Sequence, residues 1–135
     1  MKRSTYKFPM LLTAVIGLTV IGSALAATLS DQDKQFLTTY EKIHTALAAD
    51  DLAAAKSAAS DLGDDGQLIA QANSLKEARA GFEKLSAHAK TTAAGKSGYH
   101  VFHCPMLNKD WVQASTKVAN PYGGKAMVSC GEMKE

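Results

Sequence analysis

The stretch "LSDQDKQFLTTYEKIHTALAAD", residues 29–50, decides how the rest of the chain is read. Ser30 stands where an N-cap side chain accepts an orphan backbone N–H. Asp31 and Asp33 place negative charge in the first turn, where the helix dipole favours it. Phe36, Leu37, Tyr40, Ile43, His44 and Leu47 then recur at steps of three and four. That spacing predicts an amphipathic helix with one apolar stripe, and such a stripe has to be buried against a neighbour.

The neighbours follow at once. "DDLAAAKSAASDLG" predicts a second helix from Asp50 or Asp51, with Leu52, Ala55, Ala59 and Leu62 as its stripe and Gly63 as its stop. Its alanines permit close approach of another helix. "DDG" at residues 64–66 is a turn, and a third helical segment starts near Gln67. Ser74 and Glu77 form a capping-box pattern, so a last helix runs from about Leu75 to Ala94, with Leu75, Ala78, Phe82, Leu85 and Ala89 on its apolar side. Gly95 and Gly98 end it. Proline-free helices joined by short links predict an all-α fold: an antiparallel bundle of three to four helices.

Upstream, Lys2, Arg3 and Lys7 precede an apolar run over residues 10–21 and the small-residue sequence Ala24-Leu25-Ala26. This pattern predicts a secretory signal peptide over residues 1–26 and a periplasmic or secreted mature chain, residues 27–135, forming one domain. The whole chain carries 15 basic and 13 acidic side chains, and loss of the leader leaves 12 basic ones. The expected mature form has no basic excess for nucleic acid and no second apolar run for a membrane.

The end of the chain differs in kind. Residues 99–133 hold both cysteines, the only tryptophan, two of the four histidines and three of the five methionines. "YHVFH" has the character of a short strand, "KAMVSC" of its partner, and "WVQASTKVA" of one or two helical turns. In "NPYGG", Pro121 and the glycines make a turn. A compact segment of short strands and turns docked on the bundle is expected.

Two chemistries compete for this segment. Cys104 and Cys130, in an exported protein, suit a disulfide closing a loop of about 27 residues. Cysteine, methionine and histidine together are also a soft-metal ligand set that selects Cu(I). On that reading Cys104, Met106, Met127 and Cys130 converge if the turn at Asn120 folds the tail back, with His100 or His103 completing the shell. The methionines also suit plain core filling. No haem-attachment, dithiol-oxidoreductase, zincin, nucleophile-elbow or phosphate-loop motif is present in the sequence, so no enzyme is expected.

The tail "YHVFHCPML…DWVQASTKVANPYGGKAMVSCGEMKE" resembles the bacterial family called domain of unknown function 3347. Its signature falls here on Tyr99, Cys104-Pro105-Met106, Trp111, Val118, Asn120-Pro121-Tyr122, Gly124, Met127 and Cys130-Gly131. The upstream stretches "HTALAADDLAAAKSAASDL" and "ARAGFEKLSAHA" also resemble that family's helices. "HCPM" and "CGEM" are similar, more weakly, to the start and end of small heavy-metal-binding modules of metal pumps. The resemblance implies an exported helical domain linked to heavy metals, with copper bound as Cu(I) and a periplasmic adaptor of a heavy-metal efflux pump as partner. A disulfide-stapled structural or interaction module without metal is the alternative.

Overall fold

Ser30 caps the first helix as its sequence demands. Its hydroxyl accepts from the Asp33 amide at 3.0 Å, and the Asp33 carboxylate accepts from the Ser30 amide at 3.4 Å, a reciprocal capping box. The computed structural model describes residues 28–134; the predicted signal peptide lies outside the described residues. Helix α1 spans Asp31–Ala48 and buries Leu37, Tyr40, Ile43, His44 and Leu47, the predicted stripe, with Phe36 at its margin. Asp50 takes a left-handed backbone (φ 57°) that turns the chain, and Asp51 caps α2, Leu52–Ser60, by accepting from the Ala54 amide at 2.9 Å.

A 3-10 turn over Gly63–Gly66 leads into α3, the single turn Gln67–Ala70. Ser74 then caps α4, Leu75–Ala93, by accepting from the Glu77 amide at 3.2 Å. Helix α1 packs on α2 and α4, and α3 packs on α2 and α4. The fully buried Ala55 and Ala59 show why α2 is alanine-rich: small side chains let its neighbours close in. At the centre, Tyr40 of α1 stacks on Phe82 of α4 with ring centroids 5.1 Å apart.

The expectation of an all-α fold is overturned by a three-stranded antiparallel sheet, which makes this an α+β arrangement. Strands β1 (His100–Cys104), β2 (Lys109–Gln113) and β3 (Glu132–Met133) lie in the order β2-β1-β3. The sheet is a layer of the core and not an ornament on a bundle: Phe102, Cys104, Trp111 and Val112 are buried, and α4 packs against β2. The predicted strand over "YHVFH" forms, but its partners are not "KAMVSC". That stretch makes a 3-10 turn over Gly124–Met127, and the start of "WVQASTKVA", read as helical, lies in β2.

The physical reason is a hairpin. Residues 105–108 reverse the chain with Asn108 at φ 50°, which sets Phe102 opposite Trp111 and Cys104 opposite Lys109. The edge strand β2 does not expose a free ladder to solvent. The Tyr40 hydroxyl donates to the Val112 carbonyl at 2.9 Å and accepts from its amide at 3.3 Å, and Glu41 accepts from the Ala114 amide at 2.7 Å. Helix α1 therefore caps the sheet edge with its own side chains. Among the described residues, no helix is long and apolar enough to cross a membrane.

Candidate functional site

Cys104 ends β1, fully buried, and is bonded to the partly buried Cys130, with their Cα atoms 5.5 Å apart. The predicted convergence of the two cysteines therefore occurs, and it takes the form of a disulfide. The turn at Asn120 delivers Cys130 to this position. Asn120 is fully buried; its side-chain oxygen accepts from the amides of Tyr122 (2.9 Å) and Gly123 (3.0 Å), and its side-chain amide donates to the Cys130 carbonyl at 2.9 Å. The Asn120 amide also donates to the Val128 carbonyl at 2.9 Å.

Other residues of the tail motif have equally definite packing roles. Trp111 is buried against Phe102, and its indole N–H donates to Gln113 at 2.8 Å. A Cβ added to Gly131 would sit 2.6 Å from the Trp111 ring and 2.8 Å from Val118, so only glycine fits after Cys130. Gly124 has φ 57°, and a Cβ there would collide with Asp50 and Arg79. Arg79 is itself a tie: it donates to the carbonyls of Leu47 (3.0 Å) and Pro121 (2.9 Å) and pairs with Asp50.

The remaining predicted ligands are dispersed. Met106 projects from the hairpin tip, 77% exposed, two residues from Cys104. Met127 is partly buried in the 3-10 turn, and its carbonyl accepts from the Cys130 amide at 2.9 Å. Strand alternation places His103 on the face opposite to Cys104. His100 shares the cysteine's face but lies four residues away, about 13 Å along the strand. Among the described residues there is no group of three or more His, Cys, Asp or Glu side chains arranged to hold a metal ion. In the bonded form the cysteines offer no thiolate, so the donors present do not fit a thiolate metal site. Freed as a dithiol, Cys104 and Cys130 would be close enough to share one soft ion, with Met127 and Met106 near them in sequence.

His103 has another setting. Its Nδ1 donates to Asp110 Oδ1 at 2.7 Å, and the other oxygen of Asp110 takes Lys90 at 3.2 Å and Lys134 at 3.0 Å. Burial pushes the Asp110 carboxyl up, but the hydrogen bonds from Lys134, His103 and Lys90 outweigh it and hold the group at about 2. These side chains line a cavity of about 340 Å³ between α4 and the sheet, together with Glu83, Lys109 and Tyr122. Asp110, Lys90, Lys109 and Lys134 are not legible as a group in the sequence, because Lys90 lies in α4, Lys109 and Asp110 in β2, and Lys134 after β3. No local signal marks them, since Lys109 and Asp110 sit on successive strand positions whose side chains leave opposite faces.

Deeper in the core, His44 donates through Nε2 to the Ala119 carbonyl at 2.7 Å, while its Nδ1 has no hydrogen-bond partner and lies 3.6 Å from Glu41. Burial pushes this imidazole down to about 4, against the opposing pull of the Ala119 bond. Burial likewise raises the carboxyl of Glu41 and the phenols of Tyr40 and Tyr122. Comparison with family models, with curated proteins and with solved structures finds no match to this chain.

Proposed function

We propose that the domain is an exported soft-metal-binding protein that holds Cu(I) in its dithiol state, for buffering or for delivery to a periplasmic efflux adaptor. The observation that carries this reading is the approach of Cys104 and Cys130, with Cα atoms 5.5 Å apart, on a tail where Met106 and Met127 lie within three residues of a cysteine. Two-electron reduction by a dithiol reductant would turn the bridge into two thiols. Both would lose protons on taking a soft ion, so affinity would rise with pH. The disulfide is compatible with an oxidising compartment and supports the expectation of export.

A second reading is favoured by a specific observation: Cys104 is fully buried and Trp111, Asn120 and Gly131 are all occupied in packing around the bridge. On that reading the disulfide is a permanent staple of a metal-free interaction module. Cu(I) titration against a competing chelator, on the oxidised and the reduced mature chain, separates the two. Tight stoichiometric binding by the reduced chain, lost in Cys104→Ser and weakened in Met127→Leu, supports the metal reading. Equal, weak affinity in oxidised, reduced and Cys104→Ser forms establishes the staple.

A further inference from the structure

We propose that the cleft between α4 and the β1–β2 hairpin binds a small organic oxyanion, held by Lys90, Lys109 and Lys134 beside His103. This site uses neither cysteine and is present in the disulfide-bonded form, so it stands apart from the dithiol metal reading.

The charge balance of the cleft points to an anion. The described residues carry equal numbers of acidic and basic side chains. The cleft does not. Its first cavity is lined by Lys90, Lys109 and Lys134, and a second cavity, of about 390 Å³, shares Glu83, Lys109 and Tyr122 with it and adds Lys76. Against these four ammonium groups stand Glu83 and Asp110 on the lining. Glu132, paired with His103 across the sheet, flanks the site from β3 and is exposed. The positive excess survives all three carboxylates.

Asp110 acts as an internal stand-in for the ligand. Its two oxygens take one imidazole and two ammonium groups, the pattern by which a bound phosphate or carboxylate would be held. Each lysine offers three donors, and Lys90 and Lys134 each give one to Asp110, while Lys109 gives one to Glu83 at 2.7 Å. Donors therefore remain on three side chains that border one cavity.

The second cavity sets the shape of the ligand. Ala80, Leu107 and the Tyr122 ring form its apolar lining. Arg79 also borders it but is committed to Asp50 and two carbonyls. The arrangement suits an oxyanion head among the lysines with a short apolar or aromatic body reaching towards Leu107.

The test is titration of the oxidised mature chain with inorganic phosphate, phenyl phosphate and benzoate at low ionic strength, followed by amide chemical shifts and calorimetry. Saturable shifts confined to residues 76–90, 103–110, Tyr122 and Lys134 are expected, with phenyl phosphate or benzoate binding more tightly than inorganic phosphate. The order of those two identifies a phosphoryl or a carboxylate head. Lys134→Met, at a half-exposed position, should weaken binding roughly tenfold. Asp110→Asn should tighten it, since the internal competitor is gone. No saturable binding in either the native chain or Asp110→Asn overturns the proposal. So does binding that Lys134→Met and Lys90→Met both leave unchanged while the near-ultraviolet signal of Trp111 shows an intact fold.

Discussion

The side-chain amide of Asn120 donates to the carbonyl of Cys130 at 2.9 Å, from a position with no solvent exposure. A buried polar group thus holds in place the half-cystine on which the bridge from Cys104 closes. The same side chain accepts from the amides of Tyr122 and Gly123, so the turn and the disulfide are one structural unit.

Replacing Asn120 by Ala removes three hydrogen bonds at once and leaves the Tyr122 and Gly123 amides and the Cys130 carbonyl unpaired. At about 1 kcal/mol each, and more for those left buried, the loss should be about 3–4 kcal/mol. Urea denaturation of the oxidised protein measures it. The bridge should also become easier to reduce, because Cys130 loses its fastening. A cost below about 1 kcal/mol would show that the turn keeps its shape without the amide.

The disulfide spans a sequence separation of 26 residues. Restricting the unfolded chain over a loop of that length is worth roughly 3.5 kcal/mol on the chain-entropy account. A Cys104→Ala, Cys130→Ala double variant should therefore unfold at markedly lower denaturant than the oxidised protein, with nearly the same slope. After brief reduction, alkylation should reach the partly exposed Cys130 before the fully buried Cys104. Mass spectrometry of peptides from a time course reads that order.

Gly131 lies flat against the Trp111 ring, and a Cβ there would meet ring carbon at 2.6 Å. Gly131→Ala should cost about 1–3 kcal/mol as overpacking and should alter the near-ultraviolet circular dichroism of Trp111. Trp111→Phe, which opens space and removes the bond to Gln113, should accommodate the alanine. The double variant is then less destabilised than the sum of the single ones.

The helices were legible because local chemistry wrote them. Ser30, Ser74 and the three- and four-residue spacing of Leu37, Tyr40, Ile43 and Leu47 act within a few residues of where they sit. The sheet was half legible. Tyr99 to His103 reads as a strand, but "KDWVQ" lacks clean alternation, because Trp111, Val112 and Gln113 are all buried: the sheet packs on α4 on one side and on its own returning tail on the other. The cysteine pairing stood among the alternatives; the separation of His103 from Cys104 did not. It depends on strand parity, which becomes visible only once residues 100–104 are known to be extended. The lysine cleft was out of reach, since Lys90, Lys109 and Lys134 meet only after α4 and all three strands are in place.

Buried and neutral, His44 makes stability depend on mild acid. Its ordinary pKa of 6.5 falls to about 4 in the folded protein, chiefly through burial, with the Ala119 bond opposing. The unfolded chain therefore binds a proton at a pH where the folded one does not. The sign follows: the contribution of His44 is fully present above pH 6.5 and is lost as pH falls from there towards 4. The full loss is on the order of 3 kcal/mol. Glu41, 3.6 Å away, works in the opposite direction, because burial raises its carboxyl and acid relieves the cost of keeping it charged. It offsets part of the loss at the acid end of the window. Denaturant midpoints measured between pH 7 and pH 4 should fall in the native protein. In His44→Gln, which retains a donor for the Ala119 carbonyl but does not titrate, the slope between pH 6.5 and 5 should flatten. An unchanged slope in that variant would move the acid sensitivity to another group.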